Sequence, residues 1–128
     1  LQSVTTITNE DGKPYAKGEV DPEGIALSPL NTLFITSEGI ASKGIPPFVR
    51  EFDLQTGRWK RSLNLPPRYT PKSEDGKLVQ GVGDNLGFEA LTLGGISPGA
   101  IEPFRLFTAT ESALTQDASP EHPQQGAS

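Results

Sequence analysis

Four glutamates occupy equivalent places in two copies of one sequence phrase. Glu23 and Glu89 each begin a short apolar run, and Glu38 and Glu111 each follow the next apolar run along the chain. If the two runs of a copy form a hairpin, its two glutamates lie at the same end of the sheet. Carboxylates gathered in this way repel one another and raise one another's pKa unless a cation lies among them.

Calcium is the cation that this set of oxygen donors favours, because it takes about six to eight oxygen ligands. Asp21, Asp84 and Asn85 stand close enough in sequence to add oxygens. We therefore predict that these three residues and the four glutamates ligate the metal, and that the four glutamates are the catalytic residues. The alternative interpretation is that each repeated glutamate accepts hydrogen bonds from the backbone of the next unit and ties the repeat together. The two roles are not exclusive.

A second phrase also recurs, since the turn Glu-Asp-Gly-Lys at residues 10–13 returns at residues 74–77. A unit of a repeat fold cannot bury its apolar face alone, so the units must pack on one another. Alternating apolar patterns between turn residues predict short strands throughout. The predicted strands cover residues 4–8, 23–27, 32–37, 48–54, 58–65, 88–93 and 104–110.

Four-stranded meanders repeated in sequence are typical of β-propeller blades, whose innermost strands line a central channel. The predicted fold is all-β, with about one and a half four-stranded antiparallel meander blades in a partial propeller over residues 1–114. The blade units cover about residues 9–72 and 73–114, and adjacent blades bring both glutamate pairs toward the channel mouth. Residues 115–128 are polar and Pro-rich without periodicity, which predicts a loop or a disordered end.

Composition excludes several classes of protein. The chain has 128 residues, the length of one ordinary domain, and its formal net charge of −5 argues against a nucleic-acid partner. It has no cysteine, which rules out disulfides and thiolate metal sites. No run approaches the roughly 20 apolar residues of a membrane helix. The first residues lack both a starting methionine and a signal sequence, which predicts an excerpt of a longer protein.

Three other features are weaker candidates for chemistry. Residues 95–99 match the Gly-x-Ser-x-Gly pattern of hydrolase nucleophile elbows, but the residue after the serine is Pro98, which has no N–H for an oxyanion hole. His122 lies in the unpatterned tail, where a triad base or zinc ligand is not expected. Trp59 and Phe48 would offer a binding platform, although aromatic residues at strand spacing more often belong to a core.

Five motifs carry a family resemblance: Asp-Pro-Glu-Gly-Ile at residues 21–25, Thr-Ser-Glu-Gly at 36–39, Pro-Pro at 46–47, Asn-Leu-Gly-Phe-Glu-Ala-Leu at 85–91 and Thr-Glu-Ser at 110–112. Over about residues 15–114 the chain resembles the phytase-like β-propeller family, "esterase-like activity of phytase", which is widespread in bacteria. The resemblance implies a propeller, usually exported to the periplasm or the cell exterior, that hydrolyses phosphate or carboxylic esters at a central acidic site. The chain departs from the family in length, because a propeller needs about four to eight blades.

The sequence leads to three hypotheses about the function of the chain. In the first, the chain is a fragment of an exported, calcium-assisted hydrolase whose ligand is a small-molecule ester or phosphate. In the second, it is a non-catalytic β-propeller module that binds a ligand or a protein, with the glutamates as struts between blades. A calcium-dependent, lactonase-like propeller is a third, for which no general base can be assigned. In each case the unpaired sheet edges predict self-association.

Overall fold

The computed structural model describes residues 3–83, 86–95 and 104–118. Within these ranges the chain forms eight strands and three single-turn 3₁₀ helices, with no α-helix, so the predicted all-β class is confirmed. The strands are β1 (Pro22–Leu27), β2 (Thr32–Ser37), β3 (Phe48–Asp53), β4 (Trp59–Ser62), β5 (Lys72–Glu74), β6 (Lys77–Gln80), β7 (Phe88–Gly94) and β8 (Arg105–Thr110). The 3₁₀ helices are Ala41–Lys43, Pro67–Tyr69 and Thr115–Asp117. None of these helices has the length or apolar character needed to cross a bilayer.

The first four strands form one antiparallel sheet in the order β1-β2-β3-β4. This is the four-stranded meander that the alternating pattern predicts, and the first three strands lie close to the predicted bounds. The last strand is shorter than predicted, although Leu63 donates one more backbone hydrogen bond to Val49 (2.9 Å) beyond its end. The meander places the start of β1 beside the end of β2, as a hairpin must.

Aromatic side chains from β2 and β3 form the centre of the core. Phe34 and Phe52 are fully buried, and burial of a side chain of this size stabilises the fold by about 1.5–3 kcal/mol. The ring of Phe104, at the entrance to β8, meets the ring of Phe34 edge-on at 5.6 Å between centroids. The core therefore joins the first sheet to the second repeat.

The second repeat contributes the hairpin β7-β8, and β7 packs beside β1. Gly24 of β1 makes this approach possible. A Cβ atom at this position would lie 2.6 Å from Thr36 Oγ1 and 2.9 Å from Leu91 Cβ. The first strands of the two repeats thus lie side by side, in the arrangement expected of neighbouring blades. Closure into a propeller stays a prediction, as do the proposed blade boundaries.

We expect Gly24→Ala to destabilise the protein by about 1–3 kcal/mol, the usual effect of overpacking. The added methyl group has to push β1 away from Leu91 on β7. Urea unfolding measures the loss. Unchanged stability would contradict the close packing of β1 on β7.

Two parts of the described chain differ from the prediction. Residues 4–8 do not form a strand, and Thr8 makes one isolated bridge, to Pro14. The β-branched residues there favour a strand, but pairing with a neighbouring strand is what stabilises one. The Glu-Asp-Gly-Lys turn at 74–77 is the centre of an unpredicted hairpin, β5-β6.

The start of the predicted tail is fixed to this hairpin region. Thr115 donates a backbone hydrogen bond to Gly81 (3.0 Å), and the Gln116 side chain accepts one from the Gly81 N–H (3.0 Å). Leu114 is buried beside them. Residues 115–118 therefore form an anchored turn, while residues 119–128 lie outside the described residues.

Candidate functional site

The first glutamate of each repeat lies on a β-bulge. The register of β1 against β2 shifts on either side of Glu23, and the register of β7 against β8 shifts on either side of Glu89. A bulge leaves one residue without a cross-strand partner and turns its side chain away from the regular alternation, which is common beside active sites. The repeat in sequence is therefore also a repeat of local geometry.

The bulge on β1 brings three carboxylates together. Oxygen atoms of Asp21, Glu23 and Glu38 all lie within 4.8 Å of one another. The backbone holds the arrangement, because the Glu38 N–H donates to the Asp21 carbonyl oxygen (3.4 Å) and the Asp21 N–H donates to Ser37 Oγ (3.1 Å). We call Asp21, Glu23 and Glu38 the acidic cluster.

Glu38 is the buried member of the acidic cluster, with 4% of its surface exposed, whereas Asp21 and Glu23 are exposed. Burial, followed by the negative charges of Asp21 and Glu23, raises the pKa of Glu38 from 4.5 to about 7. A hydrogen bond from the backbone N–H of Gly87 opposes the shift. The Glu38 carboxyl thus titrates near neutral pH.

No lysine or arginine among the described residues pairs with the acidic cluster. The ion pairs in that part of the chain join Arg61 to Glu51 and Arg68 to Asp117. When all three carboxyls of the cluster are ionised, their charge is therefore not balanced by a cationic side chain of the described chain. Such a site attracts a cation.

The second repeat supplies a carboxyl pair. The Glu111 and Glu89 side chains are joined by a hydrogen bond, and desolvation, followed by the charge of Glu89, raises the pKa of Glu111. The charge of Glu23 acts on Glu111 as well as on Glu38. The structure therefore brings all four repeated glutamates into one electrostatically coupled region.

Gly87 links the two halves of this region. Its N–H donates to the Glu38 carboxylate, and its carbonyl oxygen accepts the Glu111 N–H (3.0 Å). A Cβ atom at Gly87 would collide with the Glu38 carbonyl oxygen and lie 2.5 Å from the Glu38 Cβ. Sequence reasoning missed this role, although a glycine directly before the Phe-Glu pair of the second repeat was an available signal.

Other sequence candidates either lie outside the described residues or are not open to a ligand. Asp84 and Asn85, predicted as additional ligands, lie outside the described residues, as do His122 and residues 96–99 of the rejected elbow motif. Phe48 is buried, and its ring contacts the Arg50 guanidinium, so it is not an open binding platform.

A pocket of about 220 Å³ adjoins the acidic cluster. Glu23 belongs to both, and the other lining residues are mostly apolar: Pro22, Gly24, Ile25 and Ile35. A ligand in this pocket would place an apolar group against the side chains and a polar group at the carboxylates.

The stability of the calcium-free protein is expected to fall as the pH rises from about 4.5 to about 7. An acid whose pKa is raised by folding stabilises the folded state at low pH, and this contribution disappears as the pH passes through the folded-state pKa. For Glu38 the loss is about 3 kcal/mol. Folding lowers the pKa of Asp53 from 3.8, so the contribution of Asp53 to stability increases as the pH rises. This increase is complete below the pH range in which Glu38 titrates. Urea unfolding with a chelator at pH 5 and pH 8 tests this, and equal stabilities would contradict the assignment.

Comparison with known proteins identifies a family. A sequence-family model with the description "Phytase-like: Esterase-like activity of phytase" matches residues 1–127. Neither a curated protein nor a solved structure gives a significant match to the chain. The family match covers nearly the whole length, including the acidic cluster and the carboxyl pair.

Proposed function

The chain belongs to the phytase-like family, and from this we propose that it contributes to the hydrolysis of phosphate or carboxylic esters at the acidic cluster, with calcium as the metal. The observation that carries the proposal is the convergence of Asp21, Glu23 and Glu38 within 4.8 Å. We further propose that the parent protein is exported, as the family resemblance implies.

The donor set of the acidic cluster fits calcium. Its three carboxylates offer oxygen alone, and calcium is bound by about six to eight oxygens, including water. Burial, together with the charges of Asp21 and Glu23, raises the pKa of Glu38, and a bound cation would oppose this shift. We propose that these three side chains hold the ion, which when bound would polarise the ester or phosphoryl oxygen of the substrate.

The remaining glutamates are suited to proton transfer. Desolvation, followed by the charge of the neighbouring Glu89 carboxyl, raises the pKa of Glu111. A carboxyl whose pKa is raised holds its proton to a higher pH than a free carboxyl does, and it can donate that proton to a leaving oxygen. We therefore assign this pair the general acid role. The pocket beside Glu23 would take the apolar part of an ester.

The proposal predicts hydrolysis of 4-nitrophenyl acetate or 4-nitrophenyl phosphate that is lost with a chelator and restored by calcium. Glu38→Gln is expected to reduce the rate about 100-fold or more, the usual effect of removing a group that acts on the transition state. The matched control is Glu74→Gln, which alters an exposed glutamate of β5 outside the site. Turnover that survives both chelation and Glu38→Gln would overturn the proposal.

A second candidate function is a non-catalytic module that binds a ligand or a protein. The hydrogen bond from Gly87 to Glu38 favours it, because a buried glutamate that receives a backbone N–H from the other repeat acts as a strut. This alternative predicts no turnover of either substrate. It also predicts that Glu89→Gln lowers the thermal midpoint equally with and without calcium.

A further inference from the structure

Arg50 lines a groove that shares no residue with the acidic cluster. Two pockets, of about 210 and 250 Å³, have Asn9, Tyr15 and Arg50 in common. Arg50 belongs to β3, and the other two residues come from the segment that precedes β1. The groove therefore forms where the N-terminal segment meets the first sheet.

The guanidinium of Arg50 is held by aromatic side chains. Its Cζ lies 3.8 Å from the ring centroid of Phe48, and its Nη1 donates to Tyr15 Oη (3.2 Å). Its Nε is buried without a hydrogen-bond partner. Of the carboxylates in the described ranges, none lies within ion-pair distance of Arg50. An oriented, unneutralised guanidinium is well suited to bind a carboxylate.

The other residues that line the groove determine which anion can bind to Arg50. Glu10 and Asp11 line the first pocket and Glu19 lines the second, so acidic side chains border the cation. Asn9 Oδ1 accepts the N–H groups of Asp11 and Lys13, both at 3.0 Å, which leaves the Asn9 amide nitrogen as a donor. A free phosphate would be repelled by this acidic border. A ligand with one negative and one positive group would be complementary to both parts.

We propose that this groove binds a small zwitterion of the α-amino acid class, with its carboxylate on Arg50 and its ammonium group on Glu10 and Asp11. Ile45 provides an apolar contact in the second pocket for a side chain. The proposal does not depend on the hydrolase activity, because the two sites have no residue in common.

Calorimetric titration of the whole chain with L-valine tests the proposal, with acetate, propylamine and inorganic phosphate as comparison probes. We expect L-valine to bind at least about tenfold more tightly than any of the three, since each of them lacks one of the two charges. Failure of L-valine to bind at millimolar concentration would overturn the proposal, as would equal or tighter binding of acetate or phosphate.

Charge substitutions at the border provide the second test. The double variant Glu10→Gln, Asp11→Asn changes two exposed side chains. We expect it to weaken L-valine binding about tenfold and to strengthen acetate binding, because an attraction for ammonium and a repulsion for carboxylate are both removed. The matched control is Glu74→Gln, Asp75→Asn in the repeated turn of the same sequence. Unchanged affinities in the first double variant would overturn the assignment.

Discussion

Glu38→Gln is expected to raise the thermal midpoint of the calcium-free protein at pH 8 and to abolish any stabilisation by calcium. At this pH the buried Glu38 is ionised beside Asp21 and Glu23, whose charges oppose its ionisation. Glutamine has nearly the same shape, is neutral, and its amide oxygen can still accept the Gly87 N–H. The gain is up to about 3 kcal/mol, which corresponds to a rise of several degrees or more.

Glu51→Gln is the matched control, for which we expect a change in stability of the opposite sign. Glu51 is buried to the same extent as Glu38, each with 4% of its surface exposed. Its neighbours differ, because Arg61 Nε lies 2.5 Å from Oε2 and the Thr32 hydroxyl donates to Oε1 (2.7 Å). Neutralising this carboxylate should lower stability by about 1–2 kcal/mol. If Glu38→Gln destabilised the calcium-free protein as Glu51→Gln does, Glu38 would have a structural role between the repeats. Its assignment as a calcium ligand would then be wrong.

Gly87→Ala is expected to destabilise the protein by about 3 kcal/mol or more, at the upper end of overpacking effects. The new methyl group would collide with the Glu38 backbone rather than with a movable side chain. Relief of the collision has to separate Gly87 from Glu38, which breaks the hydrogen bond to the carboxylate. The variant should therefore lose calcium-dependent stabilisation together with overall stability. Urea unfolding with and without calcium measures both losses.

Gly95→Ala is the matched control for this substitution. A Cβ atom at Gly95 would meet no atom of the described residues within 4 Å. We expect its stability to lie within about 0.5 kcal/mol of the parent chain, as for most exposed substitutions. A Gly87→Ala protein as stable as Gly95→Ala would contradict the close approach between the two repeats.

The repeated phrases were sufficient to predict the main elements of the site. Glu23 and Glu38 flank two apolar runs, and hairpin geometry alone places them at one end of a sheet. The same spacing around Glu89 and Glu111 predicts a second pair, and the structure forms equivalent hairpins at both places. The β-bulges were not predictable, because a one-residue shift in register leaves no mark in the apolar pattern of a short strand.

Contacts between distant segments account for what the sequence could not reveal. Gly87 contacts Glu38 across 49 positions, and the groove around Arg50 depends on Tyr15, 35 positions earlier. No local periodicity encodes either contact. The hairpin β5-β6 was missed for a different reason. Its strands are mostly polar and exposed, so the Asp-Gly turn, with positive φ at both residues, was its main signal.

The most direct test of the central claim, that the acidic cluster binds calcium, is the thermal unfolding midpoint at pH 8 in excess calcium and in excess chelator. A ligand that binds the folded state alone must raise the midpoint. At a calcium concentration about 100 times the dissociation constant, the stabilisation is about 2.7 kcal/mol. We predict a rise of several degrees for the unaltered chain. A cooperative transition with the same midpoint in both solutions would contradict the claim.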